Sequence, residues 1–150
     1  MDEATLREKQ DQELIELLNE IRVGLSGASV LFGFLLIVPF SAAWDDTTRA
    51  MRTAYVVSFL TTMLAVVSLM APTVYHRLRW REHDKEHMLV TANRLTIAGS
   101  AFLALAMISV ILLITDLLFS LGWAILATTL VAAGFFWFWY GLALLRRAER

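Results

Sequence analysis

The residues able to do chemistry gather in one stretch, PTVYHRLRWREHDKEHMLVTANR, running from Pro72 to Arg94. It holds all three histidines (His76, His83, His87), five cations (Arg77, Arg79, Arg81, Lys85, Arg94) and three carboxylates (Glu82, Asp84, Glu86). His83 and His87 are four apart, a spacing that on a helix puts both imidazoles on one face, where they could ligate a metal. No convincing third ligand accompanies them, so no metal or cofactor is expected. The same histidines, His76, His83 and His87, titrate near neutrality among charges, which makes pH sensing the stronger alternative. Solvated charge is the plain reading.

A second constellation is spread along the chain. Asn19, Glu20 and Arg22 precede one apolar run, His76 and Arg77 follow another, and Asn93 and Arg94 precede a third. These are expected at similar depth, as an inner polar layer in which Glu20 pairs with Arg94 or Arg77. Such a layer either anchors helix ends or serves as a gate. Charges at the membrane edge cost far less than at its centre, but those abutting apolar sequence want partners. Asp45, Asp46 and Asp116 form the corresponding outer acidic set, and acidic rings at a pore mouth gather cations.

These groups must be positioned by helices in lipid. The chain has 150 residues, 58% of them hydrophobic, with a net charge of −1. Its mean hydropathy is +0.62. A soluble domain of this size buries too little surface to hide so much apolar side chain. Near-neutral charge argues against nucleic acid as a partner. Cysteine is absent, so disulfides and thiolate chemistry are excluded. The first apolar run follows some twenty polar residues, the wrong order for a cleavable signal peptide.

Residues 1–22 read as an amphipathic cytoplasmic helix. Thr5 to Glu8 fit a capping box, and Leu14, Leu18, Ile21 and Leu25 recur at helical spacing. Its acidic character favours packing against protein, such as the basic loop, over lying on lipid. Residues 23–150 read as a domain of four membrane helices, with spans at 23–43, 53–71, 95–115 and 123–145 and a hairpin at 72–94. About 20 apolar residues cross a hydrocarbon core. Gly24, Gly27, Ala28 and Gly33 supply small positions on the first span, and Gly99 and Ala104 on the third. Pro39 and Pro72 are expected to end or bend their helices. The aromatic block Phe135 to Tyr140 rings its helix and suits an interfacial belt or subunit contact.

Cations set the orientation. Eleven of the thirteen Lys and Arg residues fall on one side of this arrangement, and only Arg49 and Arg52 on the other. Both termini and the hairpin are thereby placed in the cytoplasm of a plasma-membrane protein. An internal echo sets Arg22, Gly27 and Leu31 against Arg94, Gly99 and Leu103, which reads either as duplication or as coincidence between apolar runs.

The segments ELLNEIRVGLSGASVLFGFLLIVPF (16–40), APTVYHRLRW (71–80) and ANRLTIAGSAFLALA (92–106) resemble a bacterial membrane family catalogued as a domain of unknown function. Some of its members carry an automatic sodium:proton antiporter label. The resemblance implies four membrane helices and brings no catalytic or binding residue. No ionisable residue lies at mid-membrane in this chain, whereas proton-coupled carriers use one.

The expectation is an all-α, integral membrane four-helix bundle, non-enzymatic, in the lipid bilayer and homo-oligomeric. Two functions stand beside each other. One is an ion channel or transporter in which an oligomeric pore is lined by Ser and Thr hydroxyls, with cations favoured. The other is a non-transporting accessory or scaffold subunit whose basic hairpin binds a protein partner or anionic lipid.

Overall fold

A computed structural model describes the backbone of residues 3–78 and 85–141. It describes side chains for residues 12–75 and 89–139, together with Thr5, Lys9 and Gly141. Four α-helices account for most of it: α1 (Glu3–Ile37), α2 (Arg49–Leu78), α3 (Lys85–Leu118) and α4 (Leu121–Phe135). No strand occurs among the described residues. All four helices are long and apolar enough to cross a membrane, over Gln12–Phe40, Arg49–Tyr75, Leu89–Leu118 and Leu121–Trp139. The chain is an all-α, membrane-type four-helix protein.

The N-terminal segment differs from a separate amphipathic helix. α1 is one helix of 35 residues, with no break between Arg22 and Val23. Nothing at that junction interrupts the backbone ladder, because neither proline nor a turn sequence occurs there. Thr5 lies inside this helix, not at its cap, so the expected capping box does not form its start. At 1.5 Å per residue α1 is about 52 Å long, well beyond a hydrocarbon core of roughly 30 Å. α2, with 30 residues, and α3, with 34, also exceed that thickness.

The prolines act differently from one another. Pro39 ends α1: the helix stops at Ile37 and tightens into a 3-10 turn, Val38–Phe40, with the proline near its start. A second short turn, Ala42–Trp44, follows. Pro72 does not close its helix, since α2 continues through it to Leu78. Pro72 is buried at that point, and a proline inside a membrane helix is tolerated where neighbouring groups re-satisfy the carbonyl it frees. Both arms of the hairpin are therefore helical, to Leu78 and from Lys85. The tip of the expected 72–94 hairpin, residues 79–84, lies outside the described residues.

Two compact units make up the chain: residues 1–34 with 62–103, and residues 35–61 with 104–150. In the first, Ile21, Ala28, Ala65, Leu69, Ala92 and Leu103 are buried. Leu69 lies between two glycines of neighbouring helices. Its Cδ1 is 3.4 Å from the point a Cβ on Gly24 would occupy, and its Cγ is 2.8 Å from that of Gly99. In the second unit Met51, Ala54 and Leu113 form a core joined by Val38, Tyr55 and Leu112.

The small residues of α1 do not share a face. Gly24 and Ala28 turn inward, whereas Gly27 and Gly33 are exposed and a Cβ on either would meet nothing within 4 Å. The paired glycines of the internal echo differ in surroundings: Gly27 is open, whereas its counterpart Gly99 is closed by Leu69.

α3 and α4 are joined by Phe119 and Ser120 alone. Beyond α4 the aromatic block adopts a π-helical turn, Phe136–Gly141. Phe136, Trp137, Phe138 and Trp139 are all exposed there, and Phe135 meets Trp139 edge-on at 5.0 Å. Phe135 and Trp139 form an i,i+4 ring pair, and Phe136, Trp137 and Phe138 lie at the surface, where an interfacial belt would need them.

Candidate functional site

The inner polar residues that can be placed all face outward. Asn19, Glu20 and Arg22 are exposed on α1, and Asn93 and Arg94 are exposed on α3. No ion pair joins Glu20 to Arg94; the pair found among the described residues is Lys9–Glu13, at 3.9 Å along α1. His76 and Arg77 lie on the backbone of α2 and His87 on that of α3, with side chains outside the described residues, as is His83 entirely. Among the described residues no group of three or more His, Cys, Asp and Glu could hold a metal.

The outer acidic residues separate. Asp45 and Asp46 are exposed just past the Ala42–Trp44 turn. Asp116 instead lines a small cleft of about 30 Å³ with Ala50, Met51, Ala54, Leu112, Leu113 and Leu121. Ala50 and Met51 belong to the first turn of α2, and Leu121 is the first residue of α4. Asp116 therefore sits apart from Asp45 and Asp46, in the last turn of α3 and in a cleft shared with the starts of α2 and α4.

The loop before α2 is held by a polar and aromatic cluster of Trp44, Thr47, Thr48, Arg52 and Tyr55. Thr48 caps the helix, its Oγ1 accepting from the Met51 N–H at 3.3 Å. Arg52 Nε donates to Thr47 Oγ1 at 3.0 Å, and the guanidinium lies 5.7 Å from the Trp44 ring centre. Trp44 in turn meets Tyr55 edge-on at 5.1 Å. An arginine clamped over an indole at a helix start makes a membrane-interface anchor.

Hydroxyls in the spans divide into two sets. Ser58, Thr61, Thr62 and Ser109 are buried inside the protein. Ser26 and Ser29 are exposed on α1. Most donate to their own helix: Ser26 to the Arg22 carbonyl at 2.9 Å, Ser29 to Leu25 at 2.8 Å, Ser58 to Tyr55 at 2.8 Å and Thr61 to Val57 at 2.7 Å. Back-bonding of this kind satisfies a hydroxyl in lipid and leaves its lone pairs facing outward.

One outward face is unlike the others. On α1, Asn19, Arg22, Ser26, Ser29 and Gly33 are all exposed, and their spacing of three and four residues aligns them in one line. The opposite face carries the buried Ile21, Ala28 and Leu35. Between Val56 and Met70 the exposed positions on α2, Val56, Val57, Leu60, Met63, Leu64, Val67 and Met70, are all apolar, as lipid contact demands. That spacing was visible in the sequence, but only burial distinguishes this line from the other faces of an apolar helix.

A model of one family matches residues 3–143, described as a family of unknown function, DUF6328. The chain belongs to that family. No curated protein and no solved structure matches it. Membership of DUF6328 accounts for the resemblance in three separate segments, since the match spans all four helices.

Proposed function

We propose that this DUF6328 protein is a homo-oligomeric plasma-membrane protein that passes ions along the α1 faces of adjoining copies. The observation that carries this reading is the outward line Arg22, Ser26, Ser29 and Gly33, small and polar within an otherwise apolar span. Hydroxyl oxygens and a charged ring are the groups from which pores are built, and no mid-membrane carboxylate is needed. Both termini lie in the cytoplasm in this reading, as the Lys and Arg distribution favours. Asp45 and Asp46 favour cations at the outer end, while Arg22 opposes them at the inner.

The test is flux through liposomes containing purified protein, under K⁺, Na⁺, H⁺ and Cl⁻ gradients in turn, alongside the mass in detergent. Flux abolished by a bulky thiol reagent at Ser29→Cys, but not at Val56→Cys, supports the α1 path. A monomer, or silence with every ion, rules it out.

A second reading has its own support. α1 is longer than a hydrocarbon core is thick, and its N-terminal half exposes Glu13, Glu16, Asn19 and Glu20. An accessory or scaffold subunit would use that helical projection to bind a protein partner, with the basic hairpin on anionic lipid. An intact oligomer without flux favours it.

A further inference from the structure

Charges of both signs stand unpaired at the start of α2. Asp45 and Asp46 are the central residues of a turn closed by the Thr47 N–H, which donates to the Trp44 carbonyl at 3.1 Å. The Thr47 hydroxyl donates to the same carbonyl at 2.6 Å, which leaves its lone pairs to receive Arg52 Nε at 3.0 Å. The guanidinium also lies 5.7 Å from the Trp44 ring centre, so two contacts fix its direction. An arginine carries five N–H donors, and the bond to Thr47 uses one. The four on Nη1 and Nη2 have no partner among the described residues, and Arg52 is exposed.

Arg49 precedes Arg52 by three residues, on the same face of the helix, and is likewise exposed with its side chain unpaired. Neither arginine pairs with Asp45 or Asp46, although Arg52 is tied to the closing residue of their turn. Such a turn is under about 7 Å across. Two cations and two carboxylates thus make a neutral patch in which the charges are separated. A purely anionic ligand would meet Asp45 and Asp46, and a purely cationic one Arg49 and Arg52. A zwitterion satisfies both. The apolar surface beside the patch narrows the choice. Beyond Arg52 the same face continues to Val56 and Leu60, 49% and 55% exposed, about 6 and 12 Å further along the axis. Both fall within the depth of one leaflet, roughly half of a 30 Å hydrocarbon core.

We infer that the start of α2 binds the headgroup of a phosphatidylethanolamine-type lipid. Nη1 and Nη2 of Arg52 donate to two phosphate oxygens, in the fork geometry that suits a guanidinium, with Arg49 as the second cation. The ammonium donates to the carboxylates of Asp45 and Asp46. One acyl chain lies along Val56 and Leu60. A primary ammonium fits better than a quaternary one, because carboxylates accept its N–H groups. A choline group would instead want an aromatic face, and Arg52 already lies against the Trp44 ring. The site serves whichever leaflet this end of α2 meets, and it does not depend on whether the protein conducts ions.

The test titrates full-length protein in detergent with dioleoyl phosphatidylethanolamine, phosphatidylglycerol and phosphatidylcholine, and follows bound lipid by native mass spectrometry. One ethanolamine lipid should be held more tightly than either of the others. Arg52→Gln should weaken it about tenfold, the scale of one lost charge-assisted hydrogen bond, whereas Arg94→Gln should not. Asp45→Asn combined with Asp46→Asn leaves the phosphate ligands in place and should invert the order, so that phosphatidylglycerol binds best. Both aspartates are exposed, so that variant reads out the site even if Arg52→Gln disturbs the loop. Equal retention of the three lipids overturns the inference, as does an order that the aspartate variant leaves unchanged. A melting temperature raised as much by soluble glycerophosphoethanolamine as by the lipid overturns it too, since the acyl chain would then contribute nothing.

Discussion

Leu69 closes directly on Gly99: a Cβ placed on that glycine would come within 2.8 Å of Leu69 Cγ and 2.9 Å of its Cδ2. The Ser68 Cβ stands 3.3 Å from the same point. Leu69 is only 2% exposed, so it has nowhere to withdraw. The glycine on α3 is what lets α2 approach, and Gly24 of α1 receives the other branch of the same leucine.

Gly99→Ala should therefore cost about 1–3 kcal/mol, the usual range for overpacking a closed contact. Gly27→Ala, where a Cβ meets open space, should be neutral or stabilise by up to about 1 kcal/mol through helix propensity. Unfolding of both variants in one detergent compares them directly. Equal effects would mean that the α2–α3 contact at Gly99 is wrongly placed.

Asp116→Asn should lose about 0.3–1 kcal/mol of stability, because it removes the counter-charge at the starts of α2 and α4. Asp45→Asn, at an exposed site, should cost nothing measurable. If Asp116→Asn instead leaves stability alone and alters ion selectivity, Asp116 belongs to a pore mouth after all.

The Arg52–Thr47 contact should show a coupling of roughly 0.5–1.5 kcal/mol in a double-mutant cycle with Arg52→Gln and Thr47→Val. A coupling near zero would leave the loop held by the Trp44 and Tyr55 rings alone.

Because the chain has no cysteine, single cysteines report accessibility without further engineering. Cysteines at Ser26, Ser29 and Gly33 should react with a small water-soluble thiol reagent in liposomes if α1 faces an aqueous path. Ala28→Cys and Leu35→Cys, at buried positions, should not. Uniform protection across the five sites would remove the path along α1.

Much of this protein was legible from residue order alone. Uncharged apolar runs of about 20 residues bounded by polar stretches have few stable outcomes in lipid besides helices, because every backbone group must be satisfied within the segment. The four helices, the end of α1 at Pro39 and the tight link near Ser120 follow from that. Local rules did not say whether α1 would break at Arg22, and it does not. Nor did they show that α2 runs on through Pro72.

Facing was beyond the sequence. A helix apolar on all sides has no internal contrast to mark its inner surface, so Gly27 and Gly99 look equivalent in order and are opposite in environment. The same holds for the hydroxyls: Ser29 and Ser58 carry the same group, yet one is exposed and the other fully buried. Composition and spacing decided that the chain is a membrane helix protein and where its helices run. Side-chain packing between helices decided which glycine admits Leu69, which residues share a cleft with Asp116 and which hydroxyls are buried, because those depend on helix rotations that local residue order does not reveal.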